Sequence, residues 1–226
     1  MGNDNTNGSF IKSFIPQKIS NETAMNSFDK LKIKNINYEN LSKNEKNYEN
    51  HKKMIEKNGF IEDQNNYKDM HYGKKTMDYN GCGIIAAFNA MYDLTGKHTI
   101  SLPLMIDIFE NDGIVMMGMF GTSPNSIKNF FIKQGFETIS TTKEEEFDKI
   151  GEDFDSFILT FYNDGLNIFN QVHVVNISKT NGKFNIHNNG TNCHKNYNSI
   201  SDLIIKSSNG KAKGIMLIGM KRKIKL

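Results

Sequence analysis

The sequence predicts an α+β fold, with helices gathered in the first half of one domain and antiparallel strands in the second. Two observations carry that reading. Between residues 77 and 135, apolar residues recur at helical spacing in three segments, each closed by a glycine. From residue 155 onward the runs become short and rich in β-branched and aromatic residues, with the turn Thr180-Asn181-Gly182 between two of them. Helices followed by strands, rather than alternating with them, are the pattern of α+β architecture.

The elements justify themselves in order. In the first helical segment, from Cys82 to Thr95, Ile84, Ala87, Phe88, Met91 and Leu94 share one face, and Gly96 is a C-terminal stop. "SLPLMIDIFENDG" follows, with Ser101 as N-cap, Pro103 in the first turn and Gly113 at the end. "GTSPNSIKNFFIKQG" repeats that grammar with Ser123, Pro124 and Gly135. Residues 155–163 (DSFILTFYN) and 171–178 (QVHVVNIS) then read as strands, and KFNIHN answers the latter across the hairpin. A short helix in NSISDLIIKSS and a closing strand in KGIMLIGMKRK complete the domain.

Composition changes near residue 70. We divide the chain into residues 1–65, an Asn/Lys-rich extension expected to be partly disordered or loosely packed, and a domain over 66–226. Within the extension, Tyr38 to Gly59 suits a polar helix with a thin stripe of Leu41, Tyr48 and Ile55.

The chain has 226 residues, 37% hydrophobic and 23% charged, with a net charge of +3, which suits a soluble protein with one well-buried core. Acids and bases are interleaved except in the final KRKIKL, so a nucleic-acid partner is not expected. No run approaches the ~20 apolar residues of a membrane span. No signal-peptide pattern opens the chain, so a cytoplasmic location is the default, secretion by another route aside. MGNDNT fits only the loose myristoylation pattern. Two cysteines far apart make no disulfide framework, and without a CxxC no metal or cofactor is expected. His187, Cys193 and His194 match no zinc spacing, and Cys193 reads as an incidental exposed thiol in a polar loop. The run "IVMMGMFG" (114–121) suits core packing or the lining of an apolar groove.

Cys82 is the residue in the most pointed setting. It stands between Gly81 and Gly83 at the start of a helix, where the terminal N–H groups and the helix dipole favour a thiolate. The glycines admit a substrate backbone, and the Cys82 N–H can face a developing oxyanion. A base is needed, and His173, within a strand and sharing its face with Val175 and Ile177, is the candidate. Asn188, one hairpin later, can accept from the imidazole through its side-chain oxygen, with Asn189 the next choice.

Cysteine at a helix start, histidine on a strand and asparagine one hairpin later, in NGCGIIAAFNAM, VHVVNIS and FNIHNNG, together resemble the papain-like cysteine peptidases. The nearest flavour is the bacteriocin-leader, or double-glycine, peptidases (C39-like). The resemblance spans roughly residues 70–220. It implies a helical half whose central helix bears the cysteine, packed on an antiparallel sheet. It also implies Cys82, His173 and Asn188 as catalytic residues and a peptide or protein substrate cleaved through an acyl-enzyme. The glutamine such enzymes carry shortly before the cysteine is missing from YGKKTMDYNG. Asn80, together with the Cys82 N–H, is our choice for the oxyanion hole, with Tyr79, Thr76 or a folded-back Gln64 as alternatives. An inactive peptide-binding module on the same fold and a thiol acyltransferase are the rival readings. Oligomeric state is not legible.

Overall fold

The computed structural model describes residues 21–32, 39–119, 121–162, 172–193, 195–207, 210 and 212–223. The expectations for the first 20 residues, for His194 and for the last three residues lie outside these.

The described chain is α+β. A six-stranded, wholly antiparallel sheet has the order β3-β8-β4-β5-β6-β7. Its strands are β3 (Glu137–Thr141), β4 (Ser156–Tyr162), β5 (Val172–Thr180), β6 (Lys183–His187), β7 (Asn196–Tyr197) and β8 (Lys213–Lys221). Strand alternation gives the sheet two apolar faces. One face presents Ile158, Val174, Met216 and Ile218 to α4 (Cys82–Thr95), α5 (Leu102–Asp112) and α6 (Pro124–Lys133). The other presents Phe157, Leu159, Val175, Ile177 and Leu217 to α7 (Phe147–Asp153) and α8 (Ile200–Ser207).

Local chemistry sets the element ends. Ser101 and Ser123 accept hydrogen bonds from Leu104 N and Ser126 N, so both expected N-caps form. Gly96, at φ 72°, closes α4 with its N–H on Tyr92 O. Asn181 and Gly182, both at positive φ (51° and 73°), make the two-residue turn joining β5 to β6. Elements not anticipated are the helices Asn21–Lys30 and Met77–Asn80, β3, α7, β7 and the small hairpin of β1 (His71–Tyr72) and β2 (Lys75–Thr76). Strand β3 is a partly exposed edge rich in Thr and Ser, which hides the period of two.

Two expectations are corrected. Helix α4 has no solvent face over its first three turns: Ile85, Ala86, Asn89 and Ala90 are as buried as the residues of its expected core stripe. The reason is the second correction. Residues 40–65 are packed rather than loose: the helix over 40–58 lies against α5, and residues 60–61 close over α4 at Tyr92 and Asn89. Helix α2 (Asn40–Asn58) buries Tyr48 and Ile55, and Ile61 follows into the same core. Two buried asparagines fasten this layer. Asn44 bonds both the N–H and the C=O of His71 at 2.8 Å. Asn89 does the same to Ile61, again at 2.8 Å each. Helix α1 (Asn21–Lys30) adds Met25 to the core, and its Asp29 receives hydrogen bonds from Ser123 and Asn125 at the start of α6.

Candidate active site

Cys82 opens α4, but the chain is already helical before it. The one-turn helix α3 (Met77–Asn80) runs through Gly81, which has right-handed helical φ/ψ, straight into α4. Gly81 is required for packing rather than for φ, since a Cβ there would sit 2.4 Å from the Met77 carbonyl oxygen.

The sheet contributes the opposing wall. Strand β4 pairs with β5 as far as Val172, whereas the pairing of β6 with β5 stops at Asn176↔His187. Beyond that pair the chain turns away at Asn188, whose φ of 60° is a left-handed conformation that Asn tolerates better than most residues. The departure opens the edge of β5 at residues 173–175. Cys82 sits in the opening, where the His173 ring and the backbone N–H groups of Val174 and Gly83 act on its thiol.

The half-buried Cys82 and His173 perturb each other. Burial acts to raise the Cys82 pKa, but the hydrogen bond and charge of His173 and the two backbone N–H groups outweigh it. The thiol is held below the ordinary cysteine range. Burial acts to lower the His173 pKa, and the Cys82 hydrogen bond and charge with the Asn188 carbonyl lift it above the ordinary imidazole range. Both shifts favour a thiolate–imidazolium pair.

The ring is oriented by Asn188, though not through its side chain as the sequence suggested. His173 Nε2 lies 2.7 Å from the Asn188 main-chain oxygen. A carbonyl only accepts, so Nε2 carries the hydrogen and Nδ1 is left as the basic nitrogen. The Asn188 side chain faces the other way, onto Gln64: Oδ1 accepts from Gln64 N at 2.9 Å, and Nδ2 donates to Gln64 Oε1 at 3.0 Å. Gln64 Nε2 in turn donates to Asp78 O at 2.8 Å, so the upstream glutamine does fold back toward the site. His173, Gln64, Asn65, Asn188, Asn189 and Gly190 line a cleft of about 330 Å³.

Asn80 is placed elsewhere. Its Nδ2 donates to Tyr72 O and Gly118 O, and its Oδ1 is buried with no partner. The amide fastens the 72 and 118 loops and presents no donor to an oxyanion. Cys193 is also unlike its expectation, being 8% exposed rather than open. Its Sγ accepts from Asn189 N at 3.2 Å and donates to Glu62 O at 3.8 Å. Burial pushes this thiol up to about 12, with the Glu62 carboxylate adding to the rise against the Asn189 N–H, so it is no nucleophile. Among the described residues of the methionine run, none lines this cleft. Ile114 and Val115 are core, and Met116 and Met117 turn at φ 48° and 56°.

No family model matches the chain, and no curated protein matches it. Among solved structures it is similar to the peptidase domain of Streptococcus ComA, a bi-functional ABC transporter involved in a quorum sensing pathway. That similarity covers 68% of this chain and 100% of that one, at 16% identity and a TM-score of 0.44. At that distance the likeness assigns no activity. Among the described residues, no group of three or more His, Cys, Asp or Glu is placed to hold a metal ion, and no helix is long and apolar enough to cross a membrane.

Glu62 and His187 are the residues that sequence reading missed. His187 Nδ1 lies 2.7 Å from Glu62 Oε1 and Nε2 lies 2.8 Å from Ser178 Oγ, with the ring stacked on Phe60 at 3.7 Å. Glu62 Oε2 accepts from Asn188 N at 3.2 Å. The available signal was weak: His187 immediately precedes Asn188 on a strand, on the face opposite Ile186.

Proposed function

We propose that the protein is a papain-like thiol hydrolase, cutting a peptide or isopeptide bond through an acyl-enzyme. The observation that carries the proposal is the Cys82–His173 pair, each member shifted toward its charged form by the other, beside a cleft that His173 lines.

In this reading Cys82 Sγ attacks the scissile carbonyl carbon, and the new C–S bond pushes the carbonyl electrons onto oxygen. The imidazolium of His173 gives its Nδ1 proton to the leaving amine as the C–N bond breaks. Nδ1 then takes a proton from water, whose oxygen attacks the thioester and releases Cys82. The Asn188 carbonyl keeps Nε2 protonated throughout, so the same nitrogen handles each transfer. For the oxyanion we assign the Cys82 N–H and, in place of Asn80, the second N–H of the Gln64 amide, whose first is used on Asp78.

One observation favours the rival reading of a peptide-binding module. Gln64 is committed to Asp78 and Asn188 at once, which restricts its reach toward a substrate oxygen. Turnover decides between them. A peptide library with fluorogenic amides should be cleaved by the native chain and not by Cys82→Ala. Binding of the same peptides, unchanged in that variant and with no cleavage by either chain, would establish the binding module.

A further inference from the structure

We propose that Glu62 is a positioning residue of this site, acting on His173 through the Asn188–Asn189 turn; the proposal rests on the pairing of Cys82 with His173 described above.

A main-chain carbonyl is a serviceable partner for a catalytic imidazole only if its peptide is held still. Here that peptide follows a non-glycine residue at φ 60°, a sparsely populated conformation that Asn tolerates but that does not by itself fix the peptide's direction. Glu62 supplies help on both sides. Its Oε2 accepts the Asn188 N–H at 3.2 Å. Its main-chain oxygen accepts from Cys193 Sγ at 3.8 Å, and that sulfur accepts the Asn189 N–H at 3.2 Å. The Asn189 N–H belongs to the same peptide whose oxygen holds His173 Nε2 at 2.7 Å. The carboxylate is itself anchored, since Oε1 lies 2.7 Å from His187 Nδ1, and Ser178 and the Phe60 stack fix that ring. A continuous set of contacts thus runs from Ser178 in β5, through His187, Glu62 and Asn188, to His173 and Cys82. It explains why the polar residues Glu62 and His187 are placed at the back of the site, and why buried Cys193 stands beside it.

Reading out Cys82 separates positioning from simple charge. The Glu62 carboxylate is negative, so removing it without moving anything would favour the Cys82 thiolate and lower the midpoint of its titration. Releasing the turn acts in the opposite sense: His173 loses its fixed direction, the thiolate loses its partner, and the midpoint rises. The experiment is the pH dependence of Cys82 alkylation by iodoacetamide in the full chain, followed by mass spectrometry, for the native protein and Glu62→Gln. We expect the alkylation rate near pH 6 to fall roughly tenfold in the variant, the equivalent of about one pKa unit, with the rate at high pH unchanged. An unchanged or lowered midpoint overturns the proposal. If Glu62→Gln does not fold, His187→Leu releases the carboxylate from its anchor and should shift the profile the same way. His187→Asn, which keeps a donor to Oε1, should restore most of it. Equal profiles for the two His187 variants overturn the proposal as well. A native midpoint in the ordinary thiol range overturns both this inference and the hydrolase reading. A depressed native midpoint that rises in Glu62→Gln, in a protein without turnover, supports positioning while removing only the hydrolase.

Discussion

Asn89→Ala tests whether the layer formed by residues 40–65 belongs to the cooperative unit. Asn89 is fully buried on α4 and returns both hydrogen bonds of Ile61 at 2.8 Å. Ile61 is 3% exposed, so water does not replace the lost partner. The substitution strands one N–H and one C=O in the interior, each costing about 1–3 kcal/mol, and leaves a small void besides. A total of about 3–4 kcal/mol is the expectation, at the lower middle of that range because the backbone can shift. For a chain of this size each kcal/mol moves the melting temperature by about 2–4 °C, so a fall of about 10 °C is predicted. Differential scanning calorimetry measures it directly, and circular dichroism confirms that the variant is folded below the transition. Ile61 adjoins Glu62, so alkylation of Cys82 near pH 6 should slow in the same variant. A melting temperature within about 2 °C of the native value would refute the reasoning, for it would mean that residues 60–65 detach without cost, as a loose extension would.

Loss of Cys82 and loss of His173 should not add: either alanine variant alone should reduce turnover nearly as far as both together, since the pair works only as a unit. Asn188→Gly should retain more activity than Asn188→Ala, because the acceptor is main chain and glycine keeps the φ of 60° without strain. Steady-state kinetics on the two variants reads the order, and an equal, near-complete loss in both would restore the side chain to the role. Turnover should follow a bell in pH. Its acid limb lies below the ordinary thiol range, where the depressed Cys82 takes up its proton, and its alkaline limb lies above the ordinary imidazole range, where His173 loses its own. Glu62 works on stability. Burial opposes its ionisation, but the His187 contacts, Cys193 and the Asn188 N–H outweigh burial and depress its folded pKa. Its contribution is therefore full above the ordinary glutamate range and is lost as pH falls through the depressed value, which an acid titration of the melting temperature detects.

How much of this was legible depended on whether the signal is local. Caps, glycine stops and the Asn181-Gly182 turn are decided within a few residues, and each was readable from the sequence. The Cys82–His173 juxtaposition was readable because a thiol between glycines at a helix start and a histidine inside an apolar strand are both unusual settings. The layer over α4 was not, since an Asn-, Lys- and Glu-rich helix looks like an extension unless one knows that Asn44 is spent on His71. Cys193 misled for the same reason: its neighbours in sequence are polar, while its neighbours in space are Glu62 and the turn.

The site's geometry follows from a single topological event, the departure of β6 from β5. While the two strands pair, every β5 N–H on that edge is used in the ladder, and a side chain such as His173 has a fixed side to face. Once pairing stops at Asn176↔His187, the Val174 N–H needs another acceptor, and the Cys82 sulfur is the one in place. The same turn presents the Asn188 carbonyl, freed from the ladder, to His173 Nε2. Strand separation therefore creates a donor for the sulfur and an acceptor for the ring in one step. Its position is set by Asn188 adopting a left-handed φ that Glu62, Cys193 and Gln64 hold. A ladder continued to Val174 would consume its N–H, so that donor stands open only because the hairpin ends where it does.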